Sequence, residues 1–367
     1  MSASFFRDRR VLVTGHTGFK GGWLATWLKL LGARVHGFAL PPEGAPSLFD
    51  AARVGEGMVS RLGDVRDAAA VEAAVEEADP EVVFHLAAQP LVRRSYDDPV
   101  GTYAANVMGT VHLLDALRRA PRVRSVVVVT TDKCYENREW EWGYREDDAL
   151  GGRDPYSSSK ACTELVAAAY RDSFLARRAG APVGVATARA GNVIGGGDWA
   201  EDRVVPDTVR ALSLGEPVVL RNPGAVRPWQ HVLEPLRGYL VLAERLWADP
   251  ERFARAWNFG PRDDDAVPVG ALVERMVAAW GGGSYLARPA ADGKHEAGLL
   301  RLDCSRARAG LAWTPLLTLD ATARMTVDWY RAHAADPSSA ADTTARQIRA
   351  YAAGLAPRIR VEEVAVV

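Results

Sequence analysis

Residues 11–21, Val-Leu-Val-Thr-Gly-His-Thr-Gly-Phe-Lys-Gly, decide the fold. A short β-branched run meets glycines at 15, 18 and 21, and a helical pattern follows. Glycines at that spacing let the backbone turn tightly, approach a pyrophosphate and offer it the unpaired N–H groups of a helix start. A glycine pattern alone is a weak signal, and its place between strand and helix is what gives it weight. Gly15, His16, Thr17, Gly18, Phe19, Lys20 and Gly21 are therefore candidate cofactor contacts. Within them, Lys20 is a candidate charge beside the phosphate and His16 a candidate hydrogen-bond partner.

Working outward, Trp23, Leu24, Trp27, Leu28 and Leu31 recur at helical spacing, so one face packs on a sheet, and Gly32 is a stop signal. Short β-branched runs then alternate with amphipathic stretches: Val11 to Thr14, Arg34 to Ala39, Val82 to Leu86, Ser125 to Thr130 and Val183 to Arg189 read as strands. That rhythm predicts an α/β protein, a Rossmann-type doubly wound parallel sheet. After about residue 190 the texture turns to glycine- and proline-punctuated segments, among them GGGDW (195–199) and RNPGAVRPW (221–229). The expected division is a dinucleotide-binding domain over 1–190 that also receives 230–262, with Ala256 to Gly260 as a returning strand. A smaller α+β substrate-binding lobe is expected over 191–229 and 263–335, then a C-terminal helix and loose tail over 336–367.

Composition excludes several classes. A chain of 367 residues is long enough for about two domains. With 48% hydrophobic and 25% charged residues it is neither fibrous nor disordered. A formal net charge of −1, without a basic stripe, lacks the footprint of nucleic-acid binding. Cys134, Cys162 and Cys304 are odd in number and far apart, which suggests neither a disulfide framework nor a zinc site. The histidines show no metal-like clustering. No stretch reads as a signal peptide or a membrane span, so a cytoplasmic protein is expected.

Tyr156 and Lys160, four apart in Pro155-Tyr-Ser-Ser-Ser-Lys160, fall on one helix face. An ammonium near a phenol favours the phenolate, drawing a pKa near 10 toward the range of a general base. Thr130-Thr131-Asp132-Lys133 ends an apolar strand, where open parallel sheets carry their sites. Asp132 and Lys133 read as a second acid/base pair, and Thr131 as a hydrogen-bond partner of the oxygen being oxidised. Asp64, in the GDVRD turn after the third strand, is a candidate for the adenine edge and equally an ordinary helix cap. The end of the second strand, Gly37-Phe-Ala-Leu40, carries neither an acidic residue nor an arginine, so these residues do not decide NAD from NADP.

With these residues in view, the sequence resembles the extended short-chain dehydrogenase/reductases, and within them the CDP-glucose 4,6-dehydratases. The resemblance lies in TGHTGFKGGW (14–23), HLAAQPLVRRSY (85–96), NVMGTVHLL (106–114), TTDKCYENREWEWGYRE (130–146), DPYSSSK (154–160), ARAGNVIGGGDWAEDR (188–203) and RPWQHVLEP (227–235). It implies NAD as a cofactor regenerated each turnover and a redox-neutral reaction on CDP-glucose. Tyr156 would take the 4-hydroxyl proton. Asp132 would act as acid toward the 6-hydroxyl and Lys133 as base, at a position where related dehydratases often carry a glutamate. The resemblance also sets Leu86, Ala87, Ala88 and Asn106 at the cofactor, and Gln89 and Arg93 toward the sugar. Asn192, Arg203 and Arg227 match positions facing the substrate's diphosphate. His231 is expected to be structural. Of the eleven tryptophans, Trp140, Trp142, Trp199 and Trp229 lie in or beside these segments, where stacking on cytosine competes with core packing. A homodimer through the Tyr/Lys helix is implied.

Two other enzymes fit part of the pattern: a dehydratase of another nucleotide sugar, because nothing physical in the sequence reads cytosine, and a 4-epimerase, which has no task for Asp132-Lys133. A non-catalytic dinucleotide sensor could dispense with Tyr156, Lys160 and Asp132.

Overall fold

The computed structural model describes residues 4–288 and 298–354. Its centre is one parallel sheet of β1 (Arg10–Thr14), β2 (Arg34–Ala39), β3 (Val59–Leu62), β4 (Val82–His85), β5 (Ser125–Val129), β6 (Gly184–Arg189) and β7 (Ala256–Asn258). The strands lie in the order β7-β6-β5-β4-β1-β2-β3. Every residue of β4, β5 and β6 is buried, as central strands covered on both faces should be. The edge strand β3, Val-Ser-Arg-Leu, is largely exposed and owes its strand state to pairing with β2. Chain order reverses between β1 and β4, and in such sheets ligands bind in the crevice outside the strand ends at that point.

The principal helices are α1 (Phe19–Leu30), α2 (Ala68–Ala78), α3 (Gly109–Arg119), α4 (Pro155–Tyr170), α5 (Val204–Ser213), α6 (Leu233–Ala248), α7 (Val269–Trp280), α8 (Leu319–Ala335) and α9 (Ala340–Ala352). Strand alternation divides the core. Val11 and Val13 join α1 and α6 on one face, while Leu12 joins α2 and α3 on the other. In α1 the indoles of Trp23 and Trp27 are fully buried, and Gly32, at φ +81°, ends the helix in a conformation that side chains resist.

Beyond β6 the chain builds α5, α7 and two small strand pairs, Val218–Leu220 with Tyr285–Ala287 and Val226–Pro228 with Ala266–Pro268. These carry their own apolar cluster of Leu212, Val218, Leu220 and Val273. Between them α6 packs against β5 and β6, and β7 pairs with β6. Helix α9 is not a loose appendage: Tyr351 packs edge-on against Trp27 and donates a 2.6 Å hydrogen bond to Glu234 on α6. The tail expected beyond it, from residue 355, lies outside the described residues. No helix among the described residues is long and apolar enough to cross a membrane.

Candidate active site

The glycine turn is built by close approach. The Gly15 N–H bonds Phe38 O on β2 at 2.9 Å, and a Cβ at Gly15 would stand 2.7 Å from Ala87 N. One at Gly21 would reach 2.0 Å from Gly15 O. Gly18 caps α1 with no side-chain hydrogen bond, and the first turn holds no acidic residue. The helix therefore presents bare N–H donors, which suits an anionic pyrophosphate. Thr17 anchors the turn by donating to Leu40 O at 2.8 Å. Thr14 Oγ1 accepts from the N–H groups of both Leu86 and Ala87 at 3.2 Å, so residues 86–88 form the opposite wall.

Two side chains of this turn lie elsewhere than the sequence suggests. The His16 ring sits over Gly37 and shares a 2.7 Å hydrogen bond with Ser60 on β3, turned away from the turn's donors. Burial pushes its pKa down to about 4, so it is neutral. Lys20 leaves the turn for the catalytic groups. Its Nζ lies 5.9 Å from the Tyr239 ring centre, and it feels the charges of Arg203, Lys160 and Asp132. Burial, then the two neighbouring cations, pull its pKa down to about 7. Phe19 packs toward Gly195. Asp64 is also occupied, since its carboxylate takes the Arg66 N–H at 2.9 Å and the Arg66 Nε at 2.8 Å in a local turn.

Helix α4 starts where its capping residues dictate. Asp154 accepts from the Ser157 N–H at 2.9 Å, and Pro155 takes the first helical position. Tyr156 and Lys160 are consequently buried one turn apart. Lys160 Nζ donates to Val129 O at 3.2 Å, at the end of β5. Burial lowers its pKa to about 8 against the opposing pull of Glu164.

The expectation that Lys160 draws the Tyr156 phenol down is not what the chain by itself gives. Burial pushes the phenol up to about 12, and the groups that oppose this are a hydrogen bond from Thr131 and the charge of Arg203. The lysine instead donates to a main-chain carbonyl of β5.

The segment after β5 makes a short 3-10 turn, Asp132–Cys134. Asp132 is fully buried. Its Oδ1 accepts from Thr131 at 3.0 Å and lies 3.4 Å from Lys133 Nζ, while its Oδ2 has no partner. A Cβ at Gly191 would stand 1.7 Å from that second oxygen, so glycine there is what admits the carboxylate. Thr131 thus touches both Tyr156 and Asp132.

Asn106 and Gln89 brace the site with every polar arm engaged. Asn106 lies in the π-helical segment Ala104–Met108. It accepts from the Gln89 N–H at 2.8 Å and donates to Gln89 O at 3.1 Å and to Ser159 on α4 at 2.8 Å. The Gln89 amide is used by Leu91 and Thr102. Short loops leave main-chain groups that must be paired, and these two side chains pair them. Their polar side-chain atoms are engaged within the walls of the site.

The arginines gather around two aspartates the sequence reading did not single out. Arg203 pairs with Asp198 at 2.9 Å, and Arg93 and Arg221 flank Asp202 at 3.6 and 2.5 Å. Asp198 sits in the quoted GGGDW, so an acidic residue amid glycines was the available signal. Arg227 reaches Val226 O and Gly298 O at 3.0 and 3.3 Å. Asn192 holds φ +50° with its Oδ1 buried and unpartnered. His231 is buried, accepts from the Leu233 N–H at 3.3 Å and is kept neutral by burial. Trp199 packs on Trp329, Trp229 is core, Trp140 stacks on Tyr144, and Trp142 is exposed.

Comparison with known proteins narrows the reading. A model of the NAD dependent epimerase/dehydratase family matches residues 11–259. A curated CDP-glucose 4,6-dehydratase of Salmonella typhimurium is 50% identical over 331 residues, covering 90% of this chain and 92% of its own. A dTDP-glucose 4,6-dehydratase of Streptomyces griseus is 31% identical, covering 88% and 94%. Among solved structures, the Thermus thermophilus UDP-glucose 4-epimerase in complex with NAD has a TM-score of 0.74 at 26% identity, covering 88% of this chain and 99% of its own. Since the family pattern begins inside β1, takes in the glycine turn and Tyr156, and ends just past β7, this chain belongs to the NAD dependent epimerase/dehydratase family.

Proposed function

We propose that the chain is a CDP-glucose 4,6-dehydratase, converting CDP-glucose to CDP-4-keto-6-deoxyglucose and water. The observation that carries this reading is Asp132, a fully buried carboxylate with one oxygen held and the other open, beside Lys133 and joined through Thr131 to Tyr156. An epimerase has no use for that second pair, and the 50% identical relative is itself a dehydratase of CDP-glucose.

In the proposed mechanism Tyr156, as phenolate, takes the 4-hydroxyl proton while Thr131 steadies the same oxygen. NAD, when bound, would be held by the Gly15–Gly21 turn and residues 86–88 and would supply a hydride acceptor for C4, a donor for C6 and a positive charge that favours the phenolate. The 4-ketone so formed acidifies C5–H. Lys133, as base, takes that proton, and Asp132, as acid, gives its own to the 6-hydroxyl, which leaves as water. Lys133 then returns its proton to C5. The proton left on Tyr156 replaces the one Asp132 lost, and Thr131, in contact with both, is the path for it. Arg203, Arg227 and Asn192 are assigned to the substrate's diphosphate, where guanidinium forks match paired phosphate oxygens, and Arg93 to the sugar side.

We further propose a homodimer through the α4 side, which exposes Val100, Met108, Leu165 and Phe174, and a cytoplasmic enzyme with free thiols and a small anionic substrate. Incubation with CDP-glucose and no added reductant is expected to give a product lighter by one water, read by mass spectrometry. Recovery of only an isomeric CDP-hexose makes the chain an epimerase, and preference for another base in a panel of nucleotide sugars replaces the substrate.

A further inference from the structure

Tyr156, Lys160 and Glu164 recur at every fourth residue of α4, so one stripe of the helix carries all three. The first is the base of the proposed reaction and the second the cation one turn from it. Glu164 is as buried as they are and has none. Its carboxylate is nevertheless fully engaged. Oε1 accepts from Thr130 at 2.5 Å, and Oε2 accepts from Thr187 at 2.6 Å and from Arg189 Nη2 at 2.8 Å. Thr130 is the residue that leads from β5 into Thr131 and Asp132. Arg189, at the end of β6, also donates to the Tyr135 hydroxyl at 2.8 Å and to Glu146 O at 3.0 Å. Tyr135 in turn donates to Asn258 on β7 at 2.7 Å. One carboxylate therefore touches the start of the segment that carries Thr131, Asp132 and Lys133 at Thr130, and reaches its far end at Tyr135 through Arg189.

We propose that Glu164 is a positioning residue for both halves of the site: it keeps the Lys160 ammonium charged and seats residues 130–135 against α4. Charge follows from what surrounds Lys160. His85 faces it from β4, Cys134 from the loop and Lys20 from α1. Burial holds His85 and Cys134 in their neutral forms, and Lys20, at a pKa of about 7, is either neutral or of the same sign as Lys160. Glu164 is then the anion, among the described residues, that acts on Lys160. Seating follows from direction. Thr130 pulls the strand end toward α4, while Arg189 stacks 4.8 Å from the Tyr135 ring and pins the far end.

This inference rests on the proposed dehydratase reading, which assigns proton transfer to Tyr156; Lys160, one turn along the same helix face, serves it there as the cation beside the phenolate. Its test is the pH dependence of kcat/KM for CDP-glucose in the intact protein and in Glu164→Gln. In the parent, activity is expected to fall as pH rises through about 8, where Lys160 loses its proton. Without the neighbouring anion that limb is expected to move down by roughly one pH unit or more. Glu164→Asp, which restores the charge, is expected to bring it back.

Removing one partner of a buried pair can unfold a protein, whereas replacing both is tolerated far better. Glu164→Gln/Arg189→Met leaves no unpaired charge and, since Arg189 is not among the groups that act on Lys160, is expected to show the same displaced limb. A lower melting temperature with an unmoved limb in either variant overturns the inference and leaves a purely structural role. Absence of any dehydration by the parent protein overturns instead the reading on which it rests.

Discussion

On the proposed assignment Tyr156 and Asp132 divide the reaction between them, and their variants should stop it at different points. Tyr156→Phe keeps the fold and the cofactor turn but lacks the base, so turnover is expected to drop by about 10²- to 10⁴-fold with cofactor still recovered from the denatured protein. Asp132→Asn keeps the base but loses the acid, so reduced cofactor is expected to accumulate on mixing with CDP-glucose, seen by absorbance, with little water lost. Equal effects of both variants on the first step would unite the two roles. Much of this cluster was legible beforehand. Spacing of four placed Tyr156 and Lys160 together, and the end of an apolar strand placed Asp132. Side-chain direction was not legible. His16 points at β3 because Gly37 leaves it room, and Lys20 points into the catalytic groups, which are facts about residues far away in sequence. Nor did a helical pair reveal that a carbonyl of β5 would hold the lysine.

At the scale of elements, α4 depends on its first turn. Asp154 caps it through both Ser157 N–H and Ser157 Oγ, with Pro155 next. Asp154→Ala is expected to cost about 1 kcal/mol in denaturant unfolding and to weaken activity through the Tyr156 that follows at once. The motif Asp-Pro-Tyr-Ser announces that helix start in the sequence, as the run Ser125 to Val129 announces β5. Other elements gave no such notice. β3 is short and polar, and only its edge pairing makes it a strand. The π-helical turn Ala104–Met108 inserts extra chain within a helical region, to which apolar periodicity is blind, and it carries the Asn106 brace.

For the whole molecule, the sheet and its flanking helices followed from the alternation of strand and helix patterns, because a parallel sheet must be covered on both faces. How the later chain folds back was visible only in part. Ala256 to Gly260 held a strand signal, and β7 is there. Nothing in the terminal Ala/Thr-rich stretch showed that α9 would lie on α1. The exposed side chains Val100, Met108, Leu165 and Phe174 sit on helices that pack beside one another. Size-exclusion light scattering is expected to give twice the chain mass, and Leu165→Glu to shift it toward one. An unshifted dimer would move the interface elsewhere.

The bond between Tyr351 and Glu234 bears on how the molecule comes into being. Glu234 also receives the N–H groups of Leu316 and Leu317, so all three donors lie more than eighty residues downstream of it on the chain. While a ribosome is still making the protein, α6 emerges with a carboxylate that has nowhere dry to go. The half of the sheet that α6 must cover, β5 and β6, is therefore expected to stay open to water until translation has passed residue 351, so that α9 must be made before α6 settles on the sheet.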